Sequence, residues 1–136
     1  MLVDLHTHST FSDGRYTPSQ LVKMAAEACI GILGITDHDS VNGIEEAAAA
    51  VPGAPVIAKG VELGTQVGES SVHILGYNID IHNKNLLDKI EEMRHAREKR
   101  LHRMLDKIGA LGYHITVEQC DPKNRAVGRP HVAKAL

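Results

Sequence analysis

The chain has 136 residues, 43% of them hydrophobic and 24% charged, the make-up of one soluble globular domain or part of a larger one. A formal charge of −2, no tryptophan and a single phenylalanine exclude a general attraction for nucleic acid or anionic membrane and leave no aromatic platform for stacked bases, so no stable nucleic-acid partner is expected. MLVDLHTH lacks the basic and apolar regions of a secretory signal, no segment approaches membrane-spanning length, and Cys29 and Cys120 lack metal or redox spacing, which together predict a cytoplasmic protein with reduced thiols.

In chain order, Leu2 to Thr7 reads as a short strand and Ser12-Asp13-Gly14 as a turn. Thr17-Pro18-Ser19-Gln20 supplies an N-cap, a proline at the first helical position and a capping-box partner, and the helix that follows should stop near Gly31. Ile32 to Thr36 is a second, nearly all-apolar strand. Asn42, with Glu45 three residues on, starts an alanine-rich helix that Pro52-Gly53 breaks. Val56 to Leu63 and Ser71 to Ile79 are further strands. The first three strands alternate with helices, as in parallel βαβ units, whereas residues 64–70 leave no room for a crossover, so the last pair is expected to be antiparallel.

A long helix spans Leu86 to Leu111, with a stripe at Ile90, Met93, Arg97, Leu101, Met104, Ile108 and Leu111, and Gly112 closes it. Thr116 starts a short helix and Arg129 another. Ala133 to Leu136 stay in helical register without a C-cap, and a closed α/β barrel takes about 250 residues. The expected fold is therefore α/β, the first half of a truncated barrel.

Histidine is unusually frequent, with nine in the chain. Side chains alternate across a strand, so His6 and His8 share a face, and parity places His38, Glu62 and His73 on corresponding faces of the later strands. His6, His8, His38 and Glu62 then lie at the C-terminal ends of their strands, where α/β barrels assemble their sites, above the small residues Gly34, Ala58 and Gly60, and Asp13 reaches the same mouth from its loop. Taken singly, Asp13, Asp37 and Asp39 are turn or cap residues, Glu62 a solvent-facing side chain and His73 a core histidine; their convergence argues for a site. Imidazoles and carboxylates without thiolates suit Zn²⁺, Mn²⁺ or Fe²⁺, and Glu62 is the natural bridge between two ions.

The motifs DLHTHSTFSDG, GITDHD, GVEL and HILGY, in that order over the first 80 residues, resemble the PHP (polymerase and histidinol phosphatase) family. The later HAREKR and GRPHVAKAL segments are similar to its stand-alone phosphoesterase branch of nucleotide phosphatases and 5′-to-3′ exoribonucleases. The resemblance implies a distorted (β/α)7 TIM-like barrel with a helical insertion, here divided into residues 1–82 of the barrel and an incomplete insertion over 83–136. It also implies up to three divalent ions: the first on His6, His8 and Glu62, the second on Glu62 and His73, the third on Asp13 and His38, with Asp37 orienting a ligand histidine. The further histidine and late Asp-x-His pair of the family pattern are not in this sequence.

The expected activity is hydrolysis of a small phosphorylated substrate, a nucleotide or short RNA, by a hydroxide generated on the ions. Arg129 and His131 of the GRPH motif are candidate substrate contacts. Arg97 either snorkels or points into the cleft, and the other charges of its helix, Arg103 among them, read as a solvated face. Two rival readings remain. One is a metal-dependent amidohydrolase, weakened by Lys59 lying on the face opposite Glu62. The other is a metal-binding scaffold without catalysis.

Overall fold

In the computed structural model, which describes residues 1–53, 55–68, 70–120 and 127–136, four strands form one sheet in sequence order. They are β1 (Leu2–Thr7), β2 (Ile30–Ile35), β3 (Val56–Val67) and β4 (Ser70–Tyr77). β1 pairs parallel to β2 and β2 to β3, while β3 and β4 form an antiparallel hairpin, as the short connection required. Residue 69, in the expected 64–70 connection, lies outside the described residues. β3 does two jobs: Val56 to Lys59 pair with β2, and Gly60 to Val67 pair with β4. It therefore runs past the expected end at Leu63, and Glu62 lies within the strand, not at its tip.

Helices α1 (Pro18–Glu27) and α2 (Ile44–Ala50) cover one face of the sheet. Thr17 caps α1 reciprocally with Gln20, each side chain accepting from the other's backbone N–H. The helix ends before Gly31, because Cys29 takes the left-handed conformation (φ 57°) that turns the chain into β2. α2 is capped by Gly43 instead of Asn42. There a Cβ would press on Phe11, Pro18 and the Asp37 carboxylate at 3.0–3.2 Å. Val22, Leu33, Ile35, Ile44 and Val61 are almost fully buried between these layers, each contributing roughly 1.5–3 kcal/mol of burial.

The long helix α3 (Lys84–Ala110) leaves the sheet after an Asn83 cap. Ile90 joins the first core, whereas Leu101 joins a second with Cys120, Val127 and Val132, which α4 (Val117–Cys120) and α5 (Arg129–Ala135) help to build. Gly112 ends this stretch at φ 92°. Among the described residues no helix is long and apolar enough to cross a membrane.

The sheet is a curled half-barrel within a mixed α/β fold, and small residues let it curl. Tyr77, on one edge strand, donates its hydroxyl to the Leu5 carbonyl on the other at 2.9 Å. A Cβ on Gly60 would lie 2.8 Å from Thr36 Cγ2 and 3.2 Å from the Tyr77 ring. One on Gly34 would fall 2.3 Å from the Leu5 oxygen, where β1 carries a register shift between Asp4 and Thr7. Gly34 and Gly60 thus make room for the chain's own backbone and Tyr77, whereas the sequence suggested room for ions and substrate. Gly34→Ala should lower the unfolding free energy by about 1–3 kcal/mol in urea titrations, because the clash is with backbone that cannot rotate away.

Candidate metal centre

The irregularity in β1 has a chemical consequence. Four residues of β1, from Asp4 to Thr7, stand opposite three of β2, from Leu33 to Ile35, which bends the strand and re-aims its side chains. Thr7 secures the bend, its hydroxyl donating to the Gly34 carbonyl at 2.6 Å while its own carbonyl accepts from the Thr36 N–H at 3.0 Å. His6 and His8 are left converging, with their Nε2 atoms 3.1 Å apart and each 2.9 Å from Oε2 of Glu62.

Beyond β2 the chain stays alongside β3. The Glu62 N–H donates to the Asp37 carbonyl at 3.2 Å and the Asp39 N–H to the Glu62 carbonyl at 3.0 Å, an isolated parallel bridge that sets His38 beside Glu62. His38 Nδ1 is 3.6 Å from Oε2, and His73, across the hairpin, is 2.6 Å from Oε1 through its Nδ1. Asp13 closes the other side, 3.5 Å from His8 Nδ1 and 3.6 Å from His38 Nε2. Gly14 permits this: a Cβ there would sit 2.0 Å from the His8 carbonyl oxygen, so only glycine lets the loop fold back over β1.

All six residues expected to gather are gathered, in three overlapping donor groups. These are His6/His8/Glu62, His8/Asp13/His38 and His38/Glu62/His73. The Glu62 side chain is 5% exposed, and burial alone would raise its pKa; the His6 hydrogen bond, the His38 charge and the His73 hydrogen bond outweigh this and hold it below the usual carboxylate value. Burial, opposed by Asp13 and Glu62, holds His38 below the ordinary imidazole value. Its Nδ1 is buried without a hydrogen-bond partner among the described residues. Converging nitrogens, a buried carboxylate and an orphaned imidazole nitrogen fit a cation, since donor atoms about 2.0–2.2 Å from one ion lie about 3 Å from each other.

Asp37 lies beneath the loop, 1% exposed. It accepts from the Ser9 N–H at 2.7 Å, the Ser9 hydroxyl at 2.6 Å and the Ser12 hydroxyl at 2.5 Å, and Ser12 Oγ is 3.4 Å from His8 Nδ1. Asp37 therefore braces the loop carrying Asp13 and reaches a histidine only by way of Ser12. Arg97 points into the cleft, its Nε donating to buried Asp39. It lines a cavity of about 480 Å³ beside His73, together with Arg100, Arg103 and Arg129. Burial, then the neighbouring Arg97 and Arg129 charges, lower the Arg100 pKa.

Arg103 is exposed, as expected of a solvated face, and also borders this cavity. Asp39 was read as a turn or cap residue and Arg100 was given no role, although 97, 100 and 103 follow the i, i+3 spacing that puts side chains on one side of a helix. His131, expected as a substrate contact, accepts from the Gly128 N–H at 3.1 Å through its Nδ1 and so caps α5.

The fold and the donor set define a divalent-cation centre on a curled α/β sheet. Residues 4–118 match the PHP domain, and the chain belongs to that family, which implies a divalent metal. It is 35% identical over 140 residues to a 3′,5′-nucleoside bisphosphate phosphatase of Chromobacterium violaceum, a match covering 98% of this chain and 48% of the relative. It is 32% identical over 141 residues to the 5′-3′ exoribonuclease Rnm of Escherichia coli, covering 100% of this chain and 48% of the relative. The chain thus spans about half the length of these curated relatives.

Two solved structures superpose well. A Bifidobacterium adolescentis protein assigned as a metal-dependent phosphoesterase has a TM-score of 0.86 at 31% identity, covering 98% of this chain and 48% of that one. A Chromobacterium violaceum protein named an amidohydrolase, with bound sulfate and no metal, has a TM-score of 0.90 at 31% identity, covering 100% of this chain and 49% of that one.

Asp37→Ala would leave three donors in the Ser9–Ser12 loop without their acceptor. It should cost about 2–4 kcal/mol of unfolding free energy in urea titrations.

Proposed function

We propose that this chain carries the metal centre of a phosphoesterase that hydrolyses phosphate esters of nucleotides or short oligonucleotides. The observation that carries the reading is the junction of two sites at His73, which belongs to the Glu62 donor group and also lines the arginine-walled cavity. A phosphate ester needs both: cations at the reacting phosphoryl group and fixed positive charge to hold the rest of the anion.

His6, His8 and Glu62 would hold one divalent ion, Glu62 and His73 a second, and Asp13 and His38 a third, with Mn, Fe or Zn compatible with such donors. Ions held there supply Lewis acidity and the means to ionise water at neutral pH. The protein's own residues do the remainder. Glu62 keeps its two oxygens on different histidines, one toward His6 and His8 and one toward His73, which suits a bridging carboxylate. Asp37 fixes the loop that brings Asp13 over His8 and His38. Arg97, Arg100 and Arg129 hold the anion.

The names of the two curated relatives, a bisphosphate phosphatase and an exoribonuclease, support a nucleotide or RNA substrate. The sulfate in the Chromobacterium structure supports an anion site in this fold. We read the fold as the first half of a distorted (β/α)7 TIM-like barrel over residues 1–82 with a helical insertion over 83–136, and the setting as cytoplasmic. An amidohydrolase is the second reading, favoured by the name of one structural neighbour; against it, Lys59 is exposed on β3 while Glu62 occupies the centre.

The test compares para-nitrophenyl phosphate and nucleotides with a panel of amides. Glu62→Gln should cut metal-dependent phosphoester turnover by about a hundredfold or more and lower bound metal measured by elemental analysis. His114→Ala, at an exposed position after Gly112, should leave both near wild type. Cleavage of amides but not phosphate esters would overturn the reading.

A further inference from the structure

Asp39 stands between the metal centre and the arginine cavity and belongs to none of the three donor groups. It is 1% exposed, and its backbone is in the left-handed region at φ 45°, which few residues besides glycine adopt but Asp and Asn tolerate. Its N–H donates to the Glu62 carbonyl at 3.0 Å, its Oδ1 accepts from the Gly64 N–H at 3.0 Å, and its Oδ2 accepts from Arg97 Nε. One buried residue is thus tied to β3 on both sides of Leu63, by its backbone N–H at Glu62 and its carboxylate at Gly64, and by that carboxylate to α3.

The seat it makes for Arg97 is narrow. A Cβ on Gly64 would come 2.9 Å from Nη2, and one on Gly128 would lie 4.0 Å from Nη1, so the guanidinium lies between two glycines. Among the described residues Asp39 is its one hydrogen-bond acceptor, engaged at Nε, which leaves the two Nη groups for another acceptor. Burying a charge and holding a non-glycine residue at positive φ both cost free energy, and a helix can be fixed to a sheet by apolar packing without either.

We propose that Asp39 is a positioning residue: anchored to Glu62 and Gly64, it grips Arg97 at Nε so that the paired Nη groups face a phosphate of the substrate from a place fixed relative to Glu62. The inference rests on the phosphoesterase reading and adds to it how one arginine is registered to the metal centre. Two other roles make different forecasts. A carboxylate that merely pins α3 would affect stability and leave anion affinity alone. A carboxylate acting only as nearby negative charge would weaken anion binding, so removing it would tighten that binding.

Calorimetric titration of adenosine 3′,5′-bisphosphate into the intact protein separates these. Asp39→Asn keeps the left-handed backbone and an acceptor for Gly64 while removing the charge that grips Arg97. Affinity should fall about tenfold with metal content unchanged. Gly64→Ala keeps every charge and pushes on Nη2, and should weaken binding in the same direction even if Asp39→Asn fails to fold. Unchanged affinity in the folded variants, or tighter binding with Asp39→Asn, would overturn the proposal, as would a wild-type protein that binds no bisphosphate. Turnover is scored apart: a wild type that binds the compound and never hydrolyses it refutes the phosphoesterase reading, while the variant-to-wild-type affinity ratio still decides the role of Asp39.

Discussion

A carboxylate buried among imidazoles is the constraint on which the rest of this structure depends. Glu62 is 4% exposed, and removing a charge from water is costly unless it is paired and hydrogen-bonded. His6 and His8 reach one of its oxygens and His73 the other. Yet the arrangement is not a closed hydrogen-bond network of its own. Two Nε2 atoms meet at 3.1 Å and crowd onto the same oxygen, and among the described residues His38 Nδ1 is buried without a hydrogen-bond partner. Neutral imidazoles offer lone pairs, and lone pairs converging with a carboxylate are satisfied together by a cation. These converging atoms are the ones a divalent ion would use.

Holding that centre together requires the backbone to break the regularity of the sheet at chosen places. Alternation alone gives His6 and His8 a common face but not a common target; the bend opposite Gly34 turns them toward one oxygen. The loop after β1 must then double back, which the absence of a side chain at Gly14 allows and the Asp37 carboxylate secures. On β3 the change of partner at Gly60, from β2 on one side to β4 on the other, places His38 and His73 on opposite flanks of Glu62. Each device is local, but each sets the position of a different donor.

Much of this was legible in the sequence because period-two alternation survives in strands even when their ends are misjudged. His6, His8, His38, Glu62 and His73 were found by parity, and parity does not depend on where a strand stops. Strand length was less legible. Gly64 in GVELGTQVG suggested a turn, whereas in β3 it pairs with His73 and its missing side chain accommodates Arg97. The small residues beneath the site were read as space for ligands because a sequence shows that a side chain is absent and not what occupies its place. Asp39 was hidden for a related reason. Its neighbours in the chain describe a turn, and the partners that give it a role lie 25 and 58 residues away. His131 is the converse case, a motif residue whose Nδ1 has a local use in capping α5 that the motif did not show.

The arginine wall is what would let a chain of net charge −2 hold the anion of the proposed substrate. A general attraction for phosphate would come from the charge of the whole molecule, which is slightly negative. Here the attraction is local. Arg97, Arg100, Arg103 and Arg129 border one cavity, and among them Asp39 is the buried carboxylate, already engaged by Arg97 Nε. Like charges crowd one another there, which is why Arg97 and Arg129 follow burial in lowering the Arg100 pKa. An anion placed in the cavity would offset that crowding as well as add its own hydrogen bonds. Because His73 borders the same cavity, a phosphate compound held there would also reach the Glu62 donors. Selectivity then follows from placement: charge balanced over the surface but unbalanced at one cleft favours a ligand that fits the cleft over a polyanion that merely passes by.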